Sequence, residues 1–227
     1  MALLKMGKNK MNLNRVLNDT NPISTKRYKY VFWQSILLII MLTGAYTSIG
    51  LAQNLWILLL GVVLFGLSLY LIEKFKLNIF EVKPIKRTHL LYMLCATLIG
   101  LVIYWSISLI IGQPHNQLEV YQDLKYLPIM ISIIIFVILG PIFEELIFRM
   151  LIMKGIFRGH LLVGYIVSSV LFGLIHGPLN VGEFLIYCGL GLVFGAIYIL
   201  TKRFELAILC HAFNNLLHIL IFILFYN

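Results

Sequence analysis

"GPIFEELIFR", residues 140–149, ends a long apolar run with two adjacent carboxylates and an arginine. A charge at the centre of a bilayer costs roughly 2.5–3.5 kcal/mol on insertion scales. Glu144, Glu145 and Arg149 therefore mark either a misread span or a functional site, and the rest of the chain decides which.

The chain has 227 residues, 61% hydrophobic and only 12% charged, with a mean hydropathy of +0.96. A soluble domain carries roughly 25% charged residues, so lipid is the main solvent here. Runs of about twenty apolar residues are candidate spans. Seven can be drawn, over residues 30–50, 53–72, 89–112, 127–149, 161–177, 181–200 and 206–226. The fold expected is an all-α polytopic membrane bundle of about seven transmembrane helices with a cytoplasmic N-terminus. It divides into a basic tail (1–29), two N-terminal helices with a basic loop (30–88) and a core (89–227). The short "GLAQN" link at 50–54 implies a tight helical hairpin. No sequence repeat or low-complexity segment appears.

The net charge of +9 raises nucleic acid as a partner, but topology accounts for it. With the N-terminus inside, seventeen of the eighteen Lys/Arg fall in the tail and in 73–88, 149–160 and 201–205, leaving Lys125 outside. This is the positive-inside pattern, and it removes the nucleic-acid reading. The tail has no apolar h-region or cleavage motif, so it is expected to be retained. Cys95, Cys188 and Cys210 lie in apolar runs without metal-ligand spacing. Tyr28, Tyr30, Phe32 and Trp33 are expected to anchor the first helix at the interface. The basic loop 74–87 reads as a topology signal, with anionic lipid as a further partner.

Inside the spans remain Glu144, Glu145, Arg149, His176, His211 and His218, with Asn214 and Asn215. Intramembrane ionisable groups face a bundle interior or wet cavity and pair with one another. Glu145 and Arg149 are four apart in the favourable order for a helical ion pair. Glu144 is rotated by about 100° and left free. Phe172 and His176, and His211 and Asn215, repeat the four-residue spacing. Three helices thus bring a carboxylate, two imidazoles and an amide toward one pocket. A carboxylate beside histidine can deprotonate water, and amide or imidazole donors can stabilise an oxyanion. That set suits amide hydrolysis, and no GxSxG nucleophile accompanies it.

"EELIFR" (144–149), "FGLIH" (172–176) and "HAFNN" (211–215) follow EExxxR, FxxxH and HxxxN in order. In this the chain resembles the CAAX protease and bacteriocin-processing family, or Abi family, which includes the type II CAAX prenyl endopeptidases. The resemblance covers roughly residues 90–222. It implies an intramembrane glutamate-type endopeptidase in a bacterial plasma membrane, with a cavity reached from the cytoplasmic side. It also implies that Glu144 and His176 activate water and that His211 and Asn215 stabilise the oxyanion. Glu145 and Arg149 would brace the site, and Phe172 would pack beside it. The partners implied are the bilayer and a membrane-associated peptide or protein, with peptide maturation as the outcome.

Three rival readings stand beside this one. A zinc protease would use Glu and His ligands, but HExxH is absent; the expectation is no cofactor and no metal. A non-catalytic membrane protein for bacteriocin immunity or sensor-kinase scaffolding would keep the fold without the chemistry. A proton-coupled transporter lacks evident inverted repeats. His218 lies on the face of His211 without motif support, while His115 and His160 fall in loops. "GLVFG" (191–195) is expected to serve close packing within the chain. Gly140-Pro141 is expected to bend the fourth helix.

Overall fold

The computed structural model describes residues 19, 21–50, 54–79 and 84–225. Most of the basic tail, the centre of the "GLAQN" link and the middle of the 74–87 loop lie outside the described residues. Among the described residues eight helices follow in chain order, and there is no strand. They are α1 (Tyr28–Gly50), α2 (Leu55–Lys74), α3 (Arg87–Ile111), α4 (His115–Tyr126), α5 (Ile129–Ile156), α6 (Leu161–Ile175), α7 (Val181–Thr201) and α8 (Phe204–Phe225). All but α4 and α6 are long and apolar enough to cross a membrane. The protein is a polytopic helical membrane protein.

Three boundaries differ from the sequence reading, each for a physical reason. The fifth apolar run forms only a 15-residue helix, about 22 Å long, because Gly177 takes a left-handed conformation (φ 59°) just before Pro178. The loop to α7 closes its own polar groups. Asn180 accepts from the Glu183 amide at 3.0 Å, and the Glu183 carboxylate accepts from the Leu179 amide at 3.0 Å. Such backbone is tolerated at membrane depth only when it is satisfied in this way. The fourth run continues to Ile156, so Arg149 sits fully buried within α5 and is not a loop charge. The segment before it contains a short amphipathic helix, α4, where a loop was expected. Its Tyr121 stacks on Phe222 of α8 at 4.6 Å, and Asn116 donates to the Tyr187 hydroxyl at 3.4 Å.

α5 is the irregular element. Ile133–Leu139 and Leu146–Ile156 are π-helical, with the α-helical Gly140–Glu145 between them. π-turns are rare and cluster at functional sites. Here the first one precedes Pro141, which has no N–H and would crowd the preceding turn. Small residues pack α6 on α7, as read from "GLVFG". A Cβ on Gly191 would meet Ser169 backbone at 3.1 Å, and one on Gly195 would meet the Tyr165 ring at 2.7 Å. Trp33 and Tyr30 are exposed near the start of α1, where interfacial anchors belong.

Orientation is directly testable. Cysteine in place of exposed Leu118 on α4 should react with an impermeant maleimide added to intact cells. Cysteine in place of exposed His160, between α5 and α6, should react only after permeabilisation. The opposite pattern inverts the topology.

Candidate active site

Glu145 ties the site together. One carboxylate oxygen lies 3.0 Å from Arg149 Nε, one turn along α5, and both side chains are fully buried. The other accepts from His211 Nδ1 of α8 at 3.0 Å. The guanidinium also lies over Phe172 of α6, 5.1 Å from the ring centre. One carboxylate thus holds α8 to α5, and its charge is offset within the same helix.

Glu144 points elsewhere, as its rotation about the helix requires. Its Oε2 lies 4.0 Å from His176 Nε2 and 3.8 Å from His211 Nε2. The tautomers follow from the other ring nitrogens. His176 Nδ1 lies 2.7 Å from the Phe172 carbonyl, which can only accept, so Nδ1 carries the proton. That bond also satisfies one of the carbonyls orphaned at the end of α6. His211 Nδ1 carries its proton because Glu145 accepts it. In the neutral imidazoles both Nε2 lone pairs face Glu144 Oε2. These separations exceed a direct hydrogen bond and suit a bridging water. Aromatic faces fix both rings. His176 stacks on Tyr187 at 4.2 Å and 12°, and His211 on Phe194 at 4.3 Å and 15°. Phe172 lies against both imidazoles.

Asn215 has a structural duty that its motif did not reveal. Gly140 N–H bonds Ile135 O in the π pattern, so the next carbonyl, Phe136 O, would face the nitrogen of Pro141, which has no proton. Asn215 Nδ2 donates to Phe136 O at 2.9 Å instead. Its second amide proton remains for other use. Asn215→Asp should therefore lower stability by about 1–3 kcal/mol, because Phe136 O loses its donor and faces a carboxylate. Thermal unfolding in detergent measures this. An unchanged midpoint with lost turnover would assign Asn215 to chemistry alone.

These groups line a cavity of about 150 Å³. An adjoining crevice of about 130 Å³ shares Glu144 and His176 and runs between Thr43 of α1 and Ile175 of α6. Glu144, His176, His211 and Asn215 all border the larger cavity, as does Phe172; Glu145 and Arg149 lie behind it. His218 also lines it, while His115 and His160 are exposed and are not among the lining residues. Tyr46, Tyr187 and Phe194 were missed by motif reading. Only the last two had a signal, a seven-residue spacing on one face of α7. Among the described residues no cluster of three or more His, Cys, Asp or Glu is arranged to hold a metal ion.

The depth of the site bears on the expected cytoplasmic opening. Glu144 lies twelve residues from the end of α5 that precedes Phe157 and Arg158. His176 lies about 22 Å along α6 from that same face, so the two meet at similar depth. The remaining lining comes from α4, from the far halves of α1 and α3, and from the middle of α5, α7 and α8. The cavity and the basic helix ends therefore lie toward opposite faces of the bundle.

Residues 126–217 match the family described as type II CAAX prenyl endopeptidase Rce1-like. "Membrane-embedded CAAX protease MroQ" of Staphylococcus aureus (strain USA300) is 30% identical over 148 residues, 60% of this chain and 59% of its own. "Putative membrane peptidase YdiL" of Bacillus subtilis (strain 168) is 32% identical over 104 residues, 45% of this chain and 41% of its own. The matches span about half the length of these curated relatives. No solved structure matches the chain. Every motif residue from Glu144 to Asn215 falls within the segment, residues 126–217, that is similar to the Rce1-like type II CAAX prenyl endopeptidase family.

Proposed function

We propose that the protein is an intramembrane endopeptidase that hydrolyses a peptide bond of a membrane-associated peptide or protein with a glutamate-activated water. The observation that carries this reading is the convergence of Glu144 Oε2 with the Nε2 atoms of His176 and His211, at 4.0 and 3.8 Å. A water held among them gives one proton to Glu144 as its oxygen attacks the scissile carbonyl carbon. The tetrahedral oxyanion forms, the C–N bond breaks, and the Glu144 proton passes to the leaving amine. Water is consumed, and an acid and an amine result.

Asn215 serves the oxyanion through its second amide proton. His211 can donate to it through Nε2 only as the doubly protonated imidazolium, because its Nδ1 proton is committed to Glu145. In that form Glu145 stabilises the cation. With the basic helix ends in the cytoplasm, the cavity opens in the outer half of the membrane, and the crevice between α1 and α6 offers lateral entry. Peptide precursors such as signalling or bacteriocin peptides fit this reading.

A zinc-dependent mechanism is the rival reading, since two His and a Glu are a catalytic zinc set, although among the described residues no such cluster is arranged to hold a metal. Dialysis against a strong chelator separates the two. Retained cleavage supports the metal-free mechanism, and loss that zinc restores supports the other. The scaffold or immunity reading is tested by Glu144→Gln, which should abolish the cellular phenotype if turnover underlies it.

A further inference from the structure

The fold leaves one buried polar pair in the cavity without a partner. His218 is 4% exposed and Asn214 1%. Among the described residues, neither ring nitrogen of His218 nor Oδ1 of Asn214 has a hydrogen bond. The His218 ring rests on Tyr104 at 4.3 Å, and both residues line the cavity that Glu144 borders. Buried polar groups left unsatisfied are costly and are normally paired. A pair of them beside a catalytic carboxylate marks where a ligand supplies the bonds.

The chemistry of that ligand follows from the groups present. A neutral imidazole offers one donor and one acceptor, and Asn214 Oδ1 a further acceptor. A peptide group carries the complementary N–H and C=O. Among the described residues Glu144 is the only Asp, Glu, Lys or Arg lining the cavity. A carboxylate entering there would meet a like charge and no counter-ion, which burial in low dielectric penalises heavily. His218 lies seven residues beyond His211, about 10.5 Å along the same face of α8. An extended chain rises about 3.3 Å per residue, so this distance is about three residues of substrate.

We propose that His218 and Asn214 form a subsite for uncharged main chain about three residues from the bond that is cut, so that the cavity takes an internal segment rather than a free carboxyl end. This rests on the peptidase reading for its register, but the binding it asserts does not need turnover. The test uses the full chain in proteoliposomes with His176→Ala, which removes cleavage and keeps the Glu144 charge. Two probe pools are used, mixed-sequence acetylated hexapeptide amides and the same hexapeptides with free carboxyl ends. Retained peptides are quantified by mass spectrometry.

The amide pool should be retained at least tenfold over the acid pool. Adding His218→Leu should remove that advantage, while His218→Gln, with one donor and one acceptor, should keep it. Equal retention of both pools overturns the subsite, as does an unchanged ratio in a monodisperse His218→Leu protein. If His218→Leu does not fold, the amide-to-acid ratio of the His176→Ala protein alone decides. Wild-type cleavage is scored separately. Amide-selective binding without any cleavage removes the peptidase reading and leaves the subsite, and cleavage without selectivity does the reverse.

Discussion

Arg149→Ala should destabilise the bundle by about 3–5 kcal/mol, the cost of leaving a buried charge without its partner. The guanidinium is fully buried, lies 3.0 Å from Glu145 and covers the ring of Phe172. Its removal leaves Glu145 uncompensated and opens a space between α5 and α6. Arg149→Lys should not restore stability, because an ammonium lacks the planar fork and stacks poorly on aromatic rings. Thermal unfolding in detergent and the protein level in membranes report the effect. Normal levels of Arg149→Ala with selectively lost turnover would show that Arg149 acts in chemistry rather than in holding Glu145.

Glu144→Gln should reduce turnover by at least about 10⁴, the upper range for a general base, while the protein accumulates normally. Glu144 is half-buried, and its Oε2 accepts no hydrogen bond within the fold. An amide of the same shape therefore disturbs little packing but cannot take a proton from water. His176→Ala should fall in turnover nearly as far, because Nε2 is its only free ring nitrogen and its role lies entirely toward Glu144. Binding of substrate should change little in either variant, so that kcat falls and KM holds. A large change in KM with kcat retained would assign both residues to binding.

Much of this was legible in the chain because lipid forces simple rules on it. Apolar length gave the helices. The four-residue spacings placed Glu145 with Arg149 and Phe172 with His176 before any coordinates. Those features are local in sequence, within one or two turns of one helix. What was not legible depends on tertiary contact. The shortness of α6 follows from a left-handed Gly177 and a proline, and the extension of α5 to Ile156 carries Glu144 to the depth of His176. The expected pairing of His211 with the oxyanion gave no hint that Glu145 would claim its Nδ1.

The π-turns of α5 were similarly hidden. Gly140-Pro141 announced a bend, and a bend is a reasonable reading of a missing N–H. The structure instead widens the preceding turn and lets Asn215, from a helix 79 residues away in sequence, serve the freed carbonyl. α4 was hidden because its polar composition reads as loop, and only Gln117 and Tyr121 of it are buried. Tyr46 lies in the first helix, outside the segment that carries the motifs, and nothing in its sequence context distinguishes it from a packing residue.

The central claim is that Glu144 makes this membrane protein a peptidase, and comparative peptidomics tests it most directly. Membranes from cells expressing the wild type or Glu144→Ala at equal levels are incubated with the cell's own membrane peptides, and new termini are identified by mass spectrometry. The account expects a defined set of cleavage products with the wild type and none with Glu144→Ala. The same products at the same rate from both proteins would contradict it and leave a scaffold or immunity protein in its place.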